Sequence, residues 1–240
     1  MAIQPWRKGK VIKIDDHTHN TKRFWIEVPE LDKVDFMPGQ FVTLDLPIHE
    51  KPNKRWRSYS IASWPDGTNV FELLIVLAEK GLGTTYLFNE VKVGSELTFR
   101  GPQGVFTLPQ PMEKDLFLIC TGTGIAPFRS MVNYIQLHDI PTKNIYLIFG
   151  CRRKEDLLYY DELRALEEKL PRFHYLPTLS REHWESGRNG YVHPVYEELC
   201  VQKQDACFFL CGWKHMIDEA KKRIQEMGYD KRSIHQELYG

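Results

Sequence analysis

Two short stretches carry residue types suited to chemistry. "RWRSYSIAS" (55–63) sets a guanidinium, a phenol and several hydroxyls in one segment. Its Trp56, Tyr59 and Ile61 favour a pleated, half-buried surface, so the polar groups ride on a strand. "CTGTGIAPFRS" (120–130) places Gly122 and Gly124 between an apolar run and a helical pattern. Glycines there permit a tight turn and close backbone approach. The free N–H groups and positive dipole end of the following helix suit a phosphate. Pro127 stands where the third glycine of G-x-G-x-x-G would be, and a plain strand–helix turn accounts for the two glycines equally well.

The elements that must position these stretches fall into two rhythms. Up to residue 107 the chain reads as short strands separated by turns, at 10–14, 23–28, 40–46, around 57–63, 70–77 and 96–101. "PDGTN" (65–69) and the Pro-Gly at 38–39 punctuate them. Six short strands at this spacing predict an antiparallel barrel or sandwich, with one short helix near Thr84–Asn89. After a Pro-containing linker at 108–114, continuous apolar runs alternate with helical patterns. Strands are expected at 116–120, 144–150, 173–179 and 206–212, and helices over 127–138, 155–170, 194–200 and 214–227. That alternation predicts an open parallel α/β sheet over 115–240, whose ligands bind outside the carboxyl ends of the strands.

Composition excludes several classes. The 240 residues carry 32 Lys and Arg against 32 Asp and Glu, so no basic excess marks a nucleic-acid binder. No apolar run approaches a membrane span, and "MAIQPWRKGKV" lacks an apolar signal core, so a soluble cytoplasmic protein is expected. The five cysteines, Cys120, Cys151, Cys200, Cys207 and Cys211, miss both the iron–sulfur and the zinc spacings, and no metal site is expected.

Read together, Arg57-Ser58-Tyr59-Ser60, "KGLGTT" (80–85), "GPQGVF" (101–106), "TGTGIAPFRS", "CGWKHM" (211–216) and the terminal "HQELYG" (235–240) occur in one order along nearly the whole chain. This ordered set resembles the ferredoxin–NADP(H) reductase family of flavoproteins. The resemblance implies a Greek-key antiparallel β-barrel over 1–107 that binds flavin, usually FAD and less often FMN. It implies an α/β Rossmann-like NAD(P) domain after it.

Residue by residue, the resemblance assigns Arg57 to a flavin phosphate, which a guanidinium fork can hold with two parallel hydrogen bonds. Tyr59 would stack on the flavin ring, beside Ser58, and Ser60 would lie near its N5. Gly83, Thr84 and Thr85 would hold the flavin pyrophosphate at a helix start. Thr121, Gly122, Thr123 and Gly124 would approach the dinucleotide. Cys211 and Gly212 would sit near the nicotinamide, although a buried free cysteine also serves as a small hydrophobe. Glu237 would pass protons and Tyr239 would cover the flavin. Gly240 departs from the family ending and leaves the gating by Tyr239 open. Ser180 and Arg181 match the position that holds a 2′-phosphate, and Arg188 and Tyr191 complete the adenosine side. NADP(H) is therefore favoured over NAD(H), with Glu182 as the contrary sign.

The function so implied is hydride transfer between NADP(H) and flavin, and single-electron transfer between flavin and a separate carrier. A ferredoxin, a Rieske-type ferredoxin or a flavodoxin is the expected partner. Basic residues Lys51, Lys54 and Arg55 beside the flavin motif could steer an acidic one. Two alternatives stay open: reduction of small acceptors such as free flavin or ferric chelates, and a nucleotide-binding subunit without turnover. Oligomeric state is not legible.

Overall fold

Alternation of apolar and polar residues builds the first half strand by strand. In the computed structural model, which describes residues 4–239, these strands are β1 (Trp6–Thr18), β2 (Thr21–Glu27), β3 (Phe41–Asp45), β4 (Trp56–Ser60), β5 (Val70–Val76) and β6 (Glu96–Gln103). They form one antiparallel sheet in the order β4-β3-β6-β1-β2-β5. An antiparallel bridge between Ile61 and Leu73, with the Ala62 N–H donating to the Glu72 carbonyl at 2.8 Å, joins the two outer strands and closes a barrel. Helix α1 (Leu82–Asn89) lies between β5 and β6 in sequence. The barrel interior holds Val11, Phe24, Ile26, Val42, Leu44, Phe71, Leu73 and Phe99, all buried. Each such side chain contributes about 1.5–3 kcal/mol when fully withdrawn from water.

The chain divides into two compact units. The first takes the residues up to Thr107 together with Arg129–Tyr134, and the second takes Leu108–Phe128 and the chain from Ile135 onward. In the first unit the buried Glu72 carboxylate accepts from Arg23 at 2.7 and 3.1 Å and from Arg129 at 3.0 Å. A buried carboxylate is tolerable only with its charge matched in this way.

The second unit is a six-stranded sheet in the order β10-β9-β8-β7-β11-β12. Its strands are β7 (Asp115–Thr121), β8 (Ile145–Cys151), β9 (Phe173–Leu179), β10 (Arg188–Asn189), β11 (Ala206–Trp213) and β12 (Ile234–Tyr239), and its paired neighbours all run parallel. Crossovers through α2 (Ile125–Leu137), α3 (Tyr160–Lys169), α4 (Val192–Leu199) and α5 (Lys214–Glu226) make this direction possible. Strand β7 is buried along nearly its whole length, as its continuous apolar run requires. The strand order reverses between β7 and β11, which puts the switch point of the sheet at their carboxyl ends. All five cysteines are in this unit as free thiols. Cys120, Cys200 and Cys211 are buried, and Cys151 and Cys207 are partly exposed. Among the described residues no helix is long and apolar enough to cross a membrane.

Three differences from the sequence expectations have physical reasons. The helix expected over 155–170 begins only at Tyr160. A separate 3₁₀ turn (Lys154–Asp156) is closed by the Arg153 N–H donating to the Asp156 carboxylate at 3.0 Å, and Tyr159 then takes a left-handed φ of 54°. Strand β1 extends well beyond the apolar run at 10–14, because ladder pairing with β2 and β6 sustains its polar ends. The tail is a sixth parallel strand, β12, which its polar sequence does not announce. Gly240 lies outside the described residues.

Candidate functional site

In the first unit, β4 carries the Arg57–Ser60 motif against β3. Arg57 pairs with Leu44 and Tyr59 with Val42, so these two side chains take the core-facing side of the ladder. Tyr59 packs on the barrel core, and burial pushes its phenol up to about 12 against the pull of the Arg57 charge. Ser58 falls on the opposite side, where its hydroxyl meets that of Thr43 at 3.0 Å. Its side chain therefore does not share a face with Arg57 and Tyr59. Ser60 is buried.

Arg57 is the informative residue here. One terminal nitrogen donates to the carbonyls of Lys54 (3.1 Å) and Trp56 (2.8 Å). Among the described residues no carboxylate pairs with it, whereas neighbouring Arg55 pairs with Asp45. The side chain lies against Gly83, where an added Cβ would come 3.0 Å from the Arg57 Cγ. Gly83 thus lets a guanidinium cross the start of α1. That start has no side-chain cap at Gly81, and the first helical bond runs from the Thr85 N–H to the Gly81 carbonyl at 2.9 Å. The N–H groups ahead of Thr85 lie outside the helical ladder. An unpaired guanidinium beside uncapped N–H groups fits a phosphorylated ligand such as FAD. The Thr84 hydroxyl is spent locally. It donates to the Gly81 carbonyl and accepts from the Ala78 N–H, each at 3.1 Å. Thr85 is exposed.

In the second unit, parallel direction brings the carboxyl ends of the strands to one edge. Thr121 ends β7 and a 3₁₀ turn at Gly122–Gly124 follows it, Ser180 and Arg181 follow β9, and near the end of β11 Cys211 pairs with Glu237 and Trp213 with Tyr239 of β12. Gly122 and Gly124 have different reasons to be glycine. Gly122 has a φ of +54° and faces open space, so a ligand can approach it. At Gly124 an added Cβ would come 2.4 Å from the Cys211 carbonyl oxygen. Gly212, with φ +132°, presses against Thr121, whose Oγ1 accepts from the Trp213 N–H at 3.3 Å. The two strand ends are thereby locked together. Thr123 is half-buried in the turn.

Cys211 is fully buried, and burial pushes its thiol well above the ordinary range. The Glu237 carboxylate adds to the rise, and a hydrogen bond from Tyr239 works against it. The group is an uncharged thiol at neutral pH. The Ser180 N–H and hydroxyl donate to the Cys151 carbonyl at 3.0 and 3.2 Å, and the Arg181 N–H donates to the Arg152 carbonyl at 2.9 Å. Arg152 and Arg181 have no carboxylate partner among the described residues, while Arg153 pairs with Glu155. Glu182 accepts from the Lys154 N–H at 2.8 Å. Arg188 is paired with Glu198 at 2.9 Å, so its charge is already matched, and Tyr191 is exposed at the start of α4. Among the described residues no group of His, Cys, Asp and Glu is placed to hold a metal. Trp213, exposed at this edge, was not marked by the sequence patterns.

The comparisons agree with this division. Residues 8–108 match the oxidoreductase FAD-binding domain and residues 118–222 the oxidoreductase NAD-binding domain. The chain is 36% identical over 213 residues to ferredoxin–NADP reductase B of Sorangium cellulosum, covering 85% of both proteins. It is 30% identical over 216 residues to the 2-halobenzoate 1,2-dioxygenase electron transfer component of Burkholderia cepacia, spanning 89% of this chain and 61% of that longer protein. A ferredoxin NADP+ reductase from Neisseria gonorrhoeae with bound FAD and NADP superposes with a TM-score of 0.82 at 26% identity, over 97% of this chain and 98% of that one. A barrel with a guanidinium lying across an uncapped helix start, a parallel sheet with a glycine turn at its switch point, and these relatives lead to one assignment: the chain belongs to the ferredoxin–NADP(H) reductase family and is an NAD(P)H-dependent flavoprotein oxidoreductase.

Proposed function

We propose that this protein takes a hydride from NADPH onto bound FAD and passes single electrons to a separate cytoplasmic carrier of ferredoxin, Rieske-type ferredoxin or flavodoxin type. The observation that carries the reading is Arg57, a half-buried guanidinium without a carboxylate, lying across Gly83 at an uncapped helix start. FAD supplies, when bound, the conversion between two-electron and one-electron transfer. Every other task falls to the chain. Arg57 and the α1 N–H groups hold the phosphates. Tyr59 offers a protonated, uncharged ring for stacking, and Ser60 a hydroxyl. Gly122 lets the dinucleotide approach the backbone. Cys211 supplies a small neutral thiol at the nicotinamide end, Glu237 exchanges protons with solvent, and Tyr239 covers the flavin.

For the nucleotide, Arg181 after β9 and Arg152 after the neighbouring β8 leave positive charge unmatched, which suits a 2′-phosphate dianion. Glu182, the residue that would favour a free ribose hydroxyl, is already engaged by the Lys154 N–H. The carrier reading draws on the relatives named as electron transfer components of oxygenases. An anaerobic titration of the FAD-loaded protein with NADPH and, separately, NADH tests the whole reading. Loss of the flavin absorption band at far lower NADPH than NADH is expected, followed by reoxidation on adding a ferredoxin. A band that neither nucleotide bleaches would sink it.

A further inference from the structure

Strand β11 is buried from Phe208 through Gly212 and then ends in Trp213, which is 65% exposed. An indole held out in solvent at the end of a core strand forgoes a large burial gain, since aromatic side chains bury 150–250 Å² each in typical cores. Trp213 makes no ring-stacking or cation–π contact among the described residues, although other tryptophans of the chain do. Its backbone is not loose. The Trp213 N–H is tied to Thr121 Oγ1 at 3.3 Å, and Gly212 before it holds a φ of +132° with its α-carbon against Thr121. Lys214 behind it opens α5. The ring is therefore presented by a rigid turn.

Its place along the sheet says what it faces. Trp213 ends β11, beside β7 at the switch point of the sheet, where its N–H meets Thr121 and the following Gly122 faces open space. Arg181 follows β9, and from β9 to β11 the sheet advances three strand spacings, about 14 Å at roughly 4.8 Å each. A dinucleotide whose adenosine phosphate lies at Arg181 and whose pyrophosphate crosses Gly122 brings its other ring to Trp213. We infer that the Trp213 indole is the platform on which the nicotinamide half of the dinucleotide packs. This deepens the function proposed above and rests on it.

Nucleotide affinity measured by calorimetry on the oxidised, FAD-loaded protein tests this without turnover. The probes are NADP+ and NAD+, set against 2′-phospho-ADP-ribose and ADP-ribose, which lack only the nicotinamide. Trp213→Ala should weaken the tighter of the two dinucleotides about tenfold, the size of one aromatic stacking contact. It should leave the nicotinamide-free probes unchanged, and Trp213→Phe should recover most of the loss. Dinucleotide binding should also quench tryptophan emission in the wild type more than in Trp213→Phe. Unchanged dinucleotide affinity in Trp213→Ala, with the fold intact by circular dichroism, overturns the inference and leaves the indole to a protein partner. Equal weakening of both probe classes overturns it too, by moving the contact off the nicotinamide half. A wild type that binds none of the four probes overturns the proposed function itself.

Discussion

The two glycine turns of this protein look alike in sequence and are built for different ends. "KGLGTT" and "TGTG" each precede a helix and each place a glycine where a Cβ would collide. In the first unit the neighbour is the Arg57 side chain, so the missing Cβ makes room for a charge. In the second the neighbour is the backbone of Cys211 and Gly212, so the missing Cβ makes room for a strand end. In the proposed function the first turn would deliver a guanidinium to the anion. The second offers backbone alone, and its unmatched charge, Arg181, is supplied from the end of a different strand. A glycine before a helix therefore shows that something comes close, but not whether that thing is a ligand, a side chain or another part of the main chain.

The comparison can be broken in four places. The largest effect is expected for Gly124→Ala. Its Cβ would meet the Cys211 oxygen at 2.4 Å, the Cys211 carbon at 2.7 Å and the Gly212 nitrogen at 2.9 Å, all of them backbone. Thermal unfolding should show a loss of about 3 kcal/mol, the upper part of the overpacking range. A melting temperature equal to the wild type would mean that the strand ends are not locked. Next, Arg57→Ala should weaken FAD binding by about 1.5–3 kcal/mol, the worth of hydrogen bonds to a charged group, with little change in the melting of the apoprotein. Fluorescence titration of apoprotein with FAD reads it, and unaltered affinity would remove Arg57 from the cradle. Arg181→Ala should then raise the KM for NADPH about tenfold and spare that for NADH. An equal rise for both would show that the distant arginine does not read the 2′-phosphate.

The smallest effect concerns protons. Because the Tyr59 phenol is pushed up to about 12 by burial, the folded protein keeps this proton where the unfolded chain, near its ordinary value of about 10, has lost it. Its contribution to stability is complete below pH of about 10 and fades as pH rises toward 12. Tyr59→Phe should flatten the stability–pH curve in that window alone, as chemical denaturation at stepped pH would reveal. Parallel curves would place Tyr59 in water.

Much of this was legible in the chain. Strand β9 matches its apolar run residue for residue, and the barrel follows from short strands punctuated by Pro and Gly turns. Four things were not legible. The tail "IHQELY" has no buried residue, because an edge strand beside β11 is held by ladder bonds rather than by an apolar face. The break before α3 depends on the left-handed φ of Tyr159, a conformation that no residue pattern there announces. At the site, the facing of Arg57 and Tyr59 came from simple alternation. By the same alternation Ser58 turns away from both, and the motif had hidden that by naming the residues together. Trp213 escaped notice because a sequence shows an aromatic residue but not that it is left outside the core.

The burial of the thiols gives the protein a ready-made attachment point. The barrel unit has no cysteine, Cys120 and Cys211 are sealed in the sheet, and Cys200 is buried at the end of α4. Cys151 is half open, but its thiol is pushed up to about 12 and so is almost wholly protonated near neutrality. Cys207 is half open too. Burial raises its thiol as well, and the ammonium of Lys114 offsets part of that rise. It sits at the amino end of β11, the far end of that strand from Trp213. A maleimide dye applied at neutral pH should label this position faster than Cys151, giving a fluorescent handle at the opposite end of β11 from Trp213.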